Sequence, residues 1–279
     1  MTKILFIPST KKLDYNVDAY LIGVKNLSVN MPIYFDIDEI KNIKTDKEIY
    51  ICVNKNMHSN DLKLLEDTLT KINNININGI LFYDIGVLTM CKKLKIKHKL
   101  ILAQDHMNNN YESINFWKQQ GINMNYIPEE ITAKEVINIK KHTTNEIITP
   151  ILGYFPMFTS RRHLIENYLK KFNLEDDSKI NYIEKEGKVY PIVDENVTTV
   201  YTCSYLNGIK EYVDYKKENI DYVLINSFLI EEEKIKNILN MLKTVNFLNL
   251  DEYFQKINSI LNHNIDTFFL HKEAIYKVK

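Results

Sequence analysis

Arginine is nearly absent from this chain of 279 residues, because only the adjacent Arg161 and Arg162 carry a guanidinium group. Every other basic side chain is lysine or histidine. A guanidinium group can bind a carboxylate or a phosphate through two parallel hydrogen bonds, which the ammonium group of lysine cannot do. Two adjacent arginines in so arginine-poor a chain therefore predict an anion site.

Cysteine is also scarce, and Cys52, Cys91 and Cys203 lie far apart in the sequence. They form no Cys-x-x-Cys pair and no four-ligand set for zinc or an iron–sulfur cluster, so no metal site is predicted. The N-terminus lacks the features of a signal peptide, and no apolar run approaches the length of a membrane span. We therefore expect a cytoplasmic protein that does not enter a membrane.

An excess of positive charge is missing as well, since 36 basic and 36 acidic residues give a formal net charge of zero. A protein that holds nucleic acid alone over a large surface is usually basic, so any nucleic-acid contact here is expected to be local or shared with a partner. The sequence has no P-loop, no Gly-x-Gly-x-x-Gly and no Gly-x-Ser-x-Gly motif.

Short apolar segments do alternate with helical patterns along most of the chain. About seven or eight such βα units predict a parallel sheet covered by helices, either a (β/α) TIM-barrel-like fold or an open doubly wound sheet. We expect a single domain over residues 1–279. The alternation is interrupted at about residues 173–207, where extra strands predict a small β excursion.

Polar residues follow several predicted strands. In a barrel, the loops after the strands meet at one end, which would gather these residues with the arginine segment at one mouth. They are Asn54, His58, Asp84, Gln104, Asp105, Glu129 and Asn226. Other interpretations remain open, because Asp84 could cap the next helix, His58 could hydrogen-bond a turn, and Asp105-His106 could be a solvated loop.

Around the arginines, Ser160 is a good candidate for a helix N-cap, and apolar residues at helical spacing follow from Leu164. Both guanidinium groups would then lie in the first turn of a helix, where free backbone N–H groups favour an anion. A bidentate contact predicts that Arg162→Lys costs roughly 1–3 kcal/mol in anion affinity. Equally open is a surface role, in which Arg162 pairs with Glu166 and Arg161 with another acid.

The segment from Gly153 to Tyr168, centred on Phe158-Thr159-Ser160-Arg161-Arg162, resembles the signature region of peptidase family U32. The form Met-Phe-x-Ser-(Lys/Arg)-Arg-x-Leu-x-x-Asn-Tyr is similar to that of a short, cysteine-poor paralogue. Weaker matches in the same order cover most of the chain. They include Val53-Asn54 with His58, Phe82-Tyr83-Asp84, Trp117 with Gly121, and Tyr190-Pro191-Ile192.

This resemblance implies a TIM-barrel-like domain and a role in 5-hydroxylation of the tRNA wobble uridine, with prephenate as a required metabolite. The cysteines that hold an iron–sulfur cluster in the family are missing here, so the catalytic residues stay unknown. An accessory subunit that works with a cluster-bearing U32 paralogue on tRNA is therefore expected. Ser160, Arg161, Arg162, Asn54, His58 and Asp84 would bind the anion or substrate. The alternatives are a peptidase, as the family name says, and a non-catalytic scaffold.

Overall fold

The computed structural model describes residues 1–104, 108–262 and 264–272. In chain order the described strands are β1 Lys3–Ile7, β2 Ala19–Val24, β3 Tyr34–Phe35, β4 Glu48–Val53, β5 Gly79–Phe82, β6 Lys99–Leu102, β7 Met124–Tyr126, β8 Glu146–Gly153, β9 Pro156–Ser160, β10 Asn181–Lys185, β11 Lys188–Asp194, β12 Thr198–Tyr201, β13 Tyr205–Asn207, β14 Tyr222–Asn226 and β15 Ile265–Asp266. Eight of them, β1, β2, β4, β5, β6, β7, β8 and β14, are parallel and close into a barrel, since β14 pairs with both β1 and β8. The prediction of a (β/α) barrel is confirmed.

Helices surround the barrel, and those that cover its wall bury an apolar face against the strands. In α2, for example, Leu65, Leu69 and Ile72 are fully buried, and each such side chain contributes about 1.5–3 kcal/mol of transfer free energy. The described helices are α1 Ile37–Lys41, α2 Leu62–Ile72, α3 Ile85–Lys93, α4 Tyr111–Gln119, α5 Ala133–His142, α6 Leu164–Phe172, α7 Ile209–Lys217, α8 Glu232–Thr244 and α9 Leu250–Ile260. Among the described residues, no helix has the length and apolar character needed to cross a bilayer.

Alternation along each barrel strand sends neighbouring side chains to opposite sides of the wall. In β4, Tyr50 and Cys52 belong to the inner cluster, while Ile51 and Val53 pack outward under the helices. The amino end of the barrel is closed by a polar network. The hydroxyl groups of Tyr50 and Tyr222 are hydrogen-bonded to each other at 2.9 Å, and the Tyr222 hydroxyl donates to the carboxylate of Glu48 at 2.7 Å. The open end of the interior is therefore at the carboxyl ends of the strands.

A four-stranded antiparallel sheet in the order β10-β11-β12-β9, together with α6, covers that open end. We call this unit, Pro156–Tyr201, the cap. It begins earlier than the excursion predicted at about residue 173, so it includes the arginine segment. Asn30 connects the cap to the barrel, because its side chain bonds Thr159 at 3.0 Å and also accepts from Thr199. One face of the cap sheet is thereby held against the barrel, and the other face carries α6.

The prediction that Ser160 caps a helix was wrong. Ser160 lies in β9, where it pairs with Thr198, and its hydroxyl accepts from the N–H of Arg162 at 3.1 Å. Helix α6 begins only at Leu164, and its free N–H groups bond to Asp194 and Thr198 instead. The two arginines therefore lie in a turn before the helix, because strand pairing takes the place of a first helical turn.

Candidate functional site at the barrel mouth

A cavity of about 250 Å³ lies between the mouth of the barrel and the cap. Its floor consists of inward-facing apolar residues near the carboxyl ends of the strands, namely Ile7, Leu21, Cys52, Leu81, Ala103 and Leu224. Its upper wall is formed by cap residues 156–159 with Arg161 and Val197. Polar side chains at the mouth, including Lys55, Tyr83, Tyr126 and Glu129, complete the lining. The site is thus an apolar hollow with a polar rim.

One side of the rim carries two cations around a single carboxylate. Lys55 bonds Asp61 at 2.8 Å, and Arg161 reaches the same carboxylate at 3.4 Å. The Lys55 ammonium, a hydrogen bond from the His58 N–H and the charge of Arg161 lower the pKa of Asp61 to about 2. Asp61 is therefore ionised at neutral pH and can balance only one of the two positive charges. This part of the rim keeps a net positive charge beside the cavity.

Arg161 and Arg162 do not both face the cavity. Arg161 lines the cavity with its side chain 45% exposed, whereas Arg162 is exposed and lies outside the cavity lining. Within the described residues no carboxylate pairs with Arg162, and Glu166, its proposed surface partner, pairs with Lys170. The predicted pair of inward guanidinium groups is thus reduced to one. The expected cost of Arg162→Lys loses its structural basis, and the same argument now applies to Arg161.

Asn54 lies at the mouth as predicted, and both polar atoms of its amide bond to the backbone of Val29. Its Oδ1 accepts from the N–H of Val29 at 2.8 Å, and its Nδ2 donates to the carbonyl of Val29 at 3.0 Å. Asn226 behaves similarly, because it donates to the carbonyl of Tyr154 and accepts from the N–H of Phe228. Both residues line the cavity while fixing the loops that shape it.

Asp84 and His58 do not line the cavity. Asp84 lies two residues after Phe82, whose side chain faces outward, and side chains two residues apart lie on the same side of a strand. Asp84 therefore points away from the barrel interior and toward the helices. Its carboxylate caps α3 through the N–H of Gly86 and also accepts from the N–H of Met57, both at 2.7 Å. The capping interpretation of Asp84 therefore agrees with the structure. His58 is exposed in the turn that Asp61 organises. Asp105 and His106 lie outside the described residues.

These contacts make Asp84 important for stability. Replacing Asp84 with alanine removes a helix cap and a second hydrogen bond, so we expect the free energy of unfolding to fall by about 2 kcal/mol. Asp84→Asn keeps one acceptor oxygen and should lose about half as much. Urea unfolding of both variants checks the order. Equal stability of Asp84→Ala and the wild type would contradict the capping role.

Several lining residues were missed in the sequence. Tyr83 and Tyr126 lie two residues beyond the inward-facing Leu81 and Met124, and both reach the rim. Tyr126 donates to Glu129 at 3.0 Å, which fixes an acid on the lining. The signal was the period-two alternation, which includes Tyr126 at the end of β7 and, when continued past the end of β5, separates inward Tyr83 from outward Asp84. Lys55 had no such signal, because its position depends on Asp61.

The cavity also contains a thiol in its floor, that of Cys52. Burial raises the pKa of Cys52, and it raises the pKa of Cys91 to about 12. Both side chains are thus neutral thiols at neutral pH, and neutral thiols are poor nucleophiles. We expect a thiol reagent to modify the partly exposed Cys203 first, and Cys52 and Cys91 only after unfolding. Mass spectrometry of the labelled native protein checks this, and rapid labelling of Cys52 would contradict it.

Comparison with known families shows which family the chain belongs to. The model of peptidase family U32 matches residues 9–276. This chain belongs to peptidase family U32. The solved structure of the U32 peptidase Mk0906 is similar in fold, with a TM-score of 0.52 and 12% identity, over 81% of this chain and 92% of that one.

Two curated relatives of this chain come from Bacillus subtilis (strain 168). The chain is 25% identical over 285 residues to tRNA hydroxylation protein P2, and the match covers 92% of each protein. It is also 25% identical over 161 residues to tRNA hydroxylation protein P1, which covers 56% of this chain but 38% of that protein. The U32 chain described here therefore matches the P2 protein over most of its length and only part of the longer P1 protein. Within the described residues, no three His, Cys, Asp or Glu side chains are grouped so that they could hold a metal ion.

Proposed function

We propose that this protein is an accessory subunit in 5-hydroxylation of the tRNA wobble uridine and that it works with a longer U32 paralogue. The observation that supports this most strongly is the match to tRNA hydroxylation protein P2 over 92% of both chains. The similarity to part of the P1 protein supports a two-protein system. The catalytic cluster would belong to the paralogue, because this chain lacks the cysteines that hold it in the family.

The cavity at the mouth would serve this function by binding a small anion. Arg161 and Lys55 supply positive charge at the rim, and the apolar floor suits a ligand with a hydrocarbon body. Prephenate, which the family resemblance implies, is a carboxylate of this kind. A volume of about 250 Å³ fits such a metabolite and is too small for a stretch of RNA. Contact with tRNA would be local and shared with the paralogue, as the zero net charge suggests.

Deletion of the gene tests this function. Total tRNA from the deletion strain would be digested and analysed by mass spectrometry for 5-hydroxyuridine and its derivatives. We expect these nucleosides to be lost and to return when the gene is restored on a plasmid. Unchanged levels in the deletion strain would rule the function out.

A further inference from the structure

Helix α6 exposes an apolar stripe on its surface. Leu164, Tyr168 and Phe172 follow one another at spacings of four residues, so they lie on one side of the helix. They are 38%, 54% and 54% exposed, and none of the residues of α6 is fully buried. The rings of Tyr168 and Phe172 pack against each other at 4.8 Å. An amphipathic surface helix normally buries its apolar side, so this stripe lacks its partner within the described residues.

The neighbouring sheet extends the same surface. Phe158 pairs with Val200, and Val200 pairs with Ile192, so these three side chains lie on one face of the cap sheet. Tyr190 is two residues before Ile192 in β11 and lies on the same face, as does its pairing partner Ile183. Thr198, on this face too, accepts from the N–H of Leu164, which places α6 on this side of the sheet. Phe158 and Ile183 are 51% and 42% exposed. We call Phe158, Leu164, Tyr168, Phe172 and Ile183 the outer face of the cap.

Size and charge indicate which class of partner fits the outer face. Five large, roughly half-exposed side chains offer several hundred Å², and a standard protein interface with its polar rim buries about 800 Å² on each partner. Contiguous exposed apolar patches of this size mark interaction sites. The cap as a whole carries seven basic and eight acidic residues, so it lacks the positive excess that a tRNA surface requires. A protein therefore fits this face better than RNA.

We propose that the outer face of the cap binds the longer, P1-like U32 chain; this rests on the proposed function. One organism has two tRNA hydroxylation proteins that both resemble this chain, so a second, longer chain is at hand as the partner of this face. The outer face also adjoins the cavity, because the segment of β9 that carries Phe158 forms part of the cavity wall. A partner bound there would adjoin the rim formed by Arg161, and it would place its own chemistry beside the cavity of this chain.

The test is co-purification and titration with the P1-like chain of the same genome. The variant is Tyr168→Glu/Phe172→Glu, which puts two charges into the outer face. Its matched control is Lys170→Glu, which changes the net charge equally on the polar side of α6. Ile183→Glu is a second variant that leaves the helix untouched. Circular dichroism and thermal unfolding would establish that all of them fold.

We expect the double variant and Ile183→Glu each to weaken binding at least tenfold, because aromatic and aliphatic residues at the centre of an interface carry most of its affinity. Lys170→Glu should bind like the wild type. Unchanged binding by both outer-face variants would overturn the proposal. So would a wild-type chain that forms homodimers through this face, or that does not bind the P1-like chain.

Wobble-uridine analysis separates this inference from the function on which it rests. If the deletion strain keeps its 5-hydroxyuridine derivatives, the function fails regardless of binding. If the derivatives are lost on deletion but the outer-face variants restore them fully and bind normally, only the docking surface is refuted. Variants that fold, fail to bind and fail to restore the derivatives would support both.

Discussion

Arg161→Ala is expected to reduce wobble-uridine 5-hydroxylation to a tenth of the wild-type level or less, while Arg162→Ala leaves it nearly unchanged. Arg161 lines the cavity, and Arg162 lies in solvent one residue away. A charge-assisted hydrogen bond to a bound anion contributes about 1.5–3 kcal/mol, which is at least a tenfold change in affinity. The measurement is mass spectrometry of tRNA from the deletion strain carrying each variant.

Arg162→Ala is a close control, because it removes the same side chain from the same turn. Arg161→Lys adds a second comparison, since it keeps the charge but loses the planar fork, and it should restore only part of the modification. Full modification with Arg161→Ala would contradict the anion site and favour a scaffold whose cavity has no role. Equal loss in both alanine variants would indicate damage to the turn instead.

Gly153→Ala is expected to have the largest effect on stability, a loss of about 3 kcal/mol or more in the free energy of unfolding. Gly153 ends β8 with φ at +128°, a conformation that L side chains rarely adopt. A Cβ atom there would come within 2.4 Å of the backbone oxygen of Asn226. That oxygen belongs to the neighbouring strand β14, so relief of the clash requires the barrel wall itself to move.

Gly187→Ala separates the clash from the backbone strain. Gly187 also has a positive φ, of +72°, but an added Cβ meets nothing within 4 Å. This control should lose only about 1 kcal/mol, the cost of the left-handed backbone alone. Chemical unfolding of both variants provides the comparison. A Gly153→Ala protein no less stable than Gly187→Ala would show that β8 and β14 are less tightly packed than described.

The barrel could be predicted from sequence because its signal is local. Segments such as Glu48–Val53 are short, β-branched and apolar, and amphipathic helices follow them, so each βα unit identifies itself. The rule that loops meet at the carboxyl ends of the strands then placed Asn54 and Asn226 correctly at the mouth. The rule does not give the direction of each side chain, because successive residues of a strand point alternately into the barrel and out toward the helices.

The arginine segment shows why the rest could not be predicted. A serine followed by apolar residues at helical spacing is typical of a helix start, but Ser160 is held in β9 by pairing with Thr198, 38 positions along the chain. Asp194, which accepts from free N–H groups at the start of α6, lies 29 positions beyond Ile165 in the sequence. Pairings between distant segments override the local preference, and they turn one arginine toward the cavity and leave the other in solvent.

Isothermal titration of the purified protein with prephenate tests the central claim most directly. The cavity beneath the cap should bind this carboxylate in the wild type and in Arg162→Ala with similar affinity, and at least tenfold more weakly in Arg161→Ala. If the dissociation constant is the same for Arg161→Ala and the wild type, or if the wild type binds no prephenate, the mouth of this barrel is not the anion site described here.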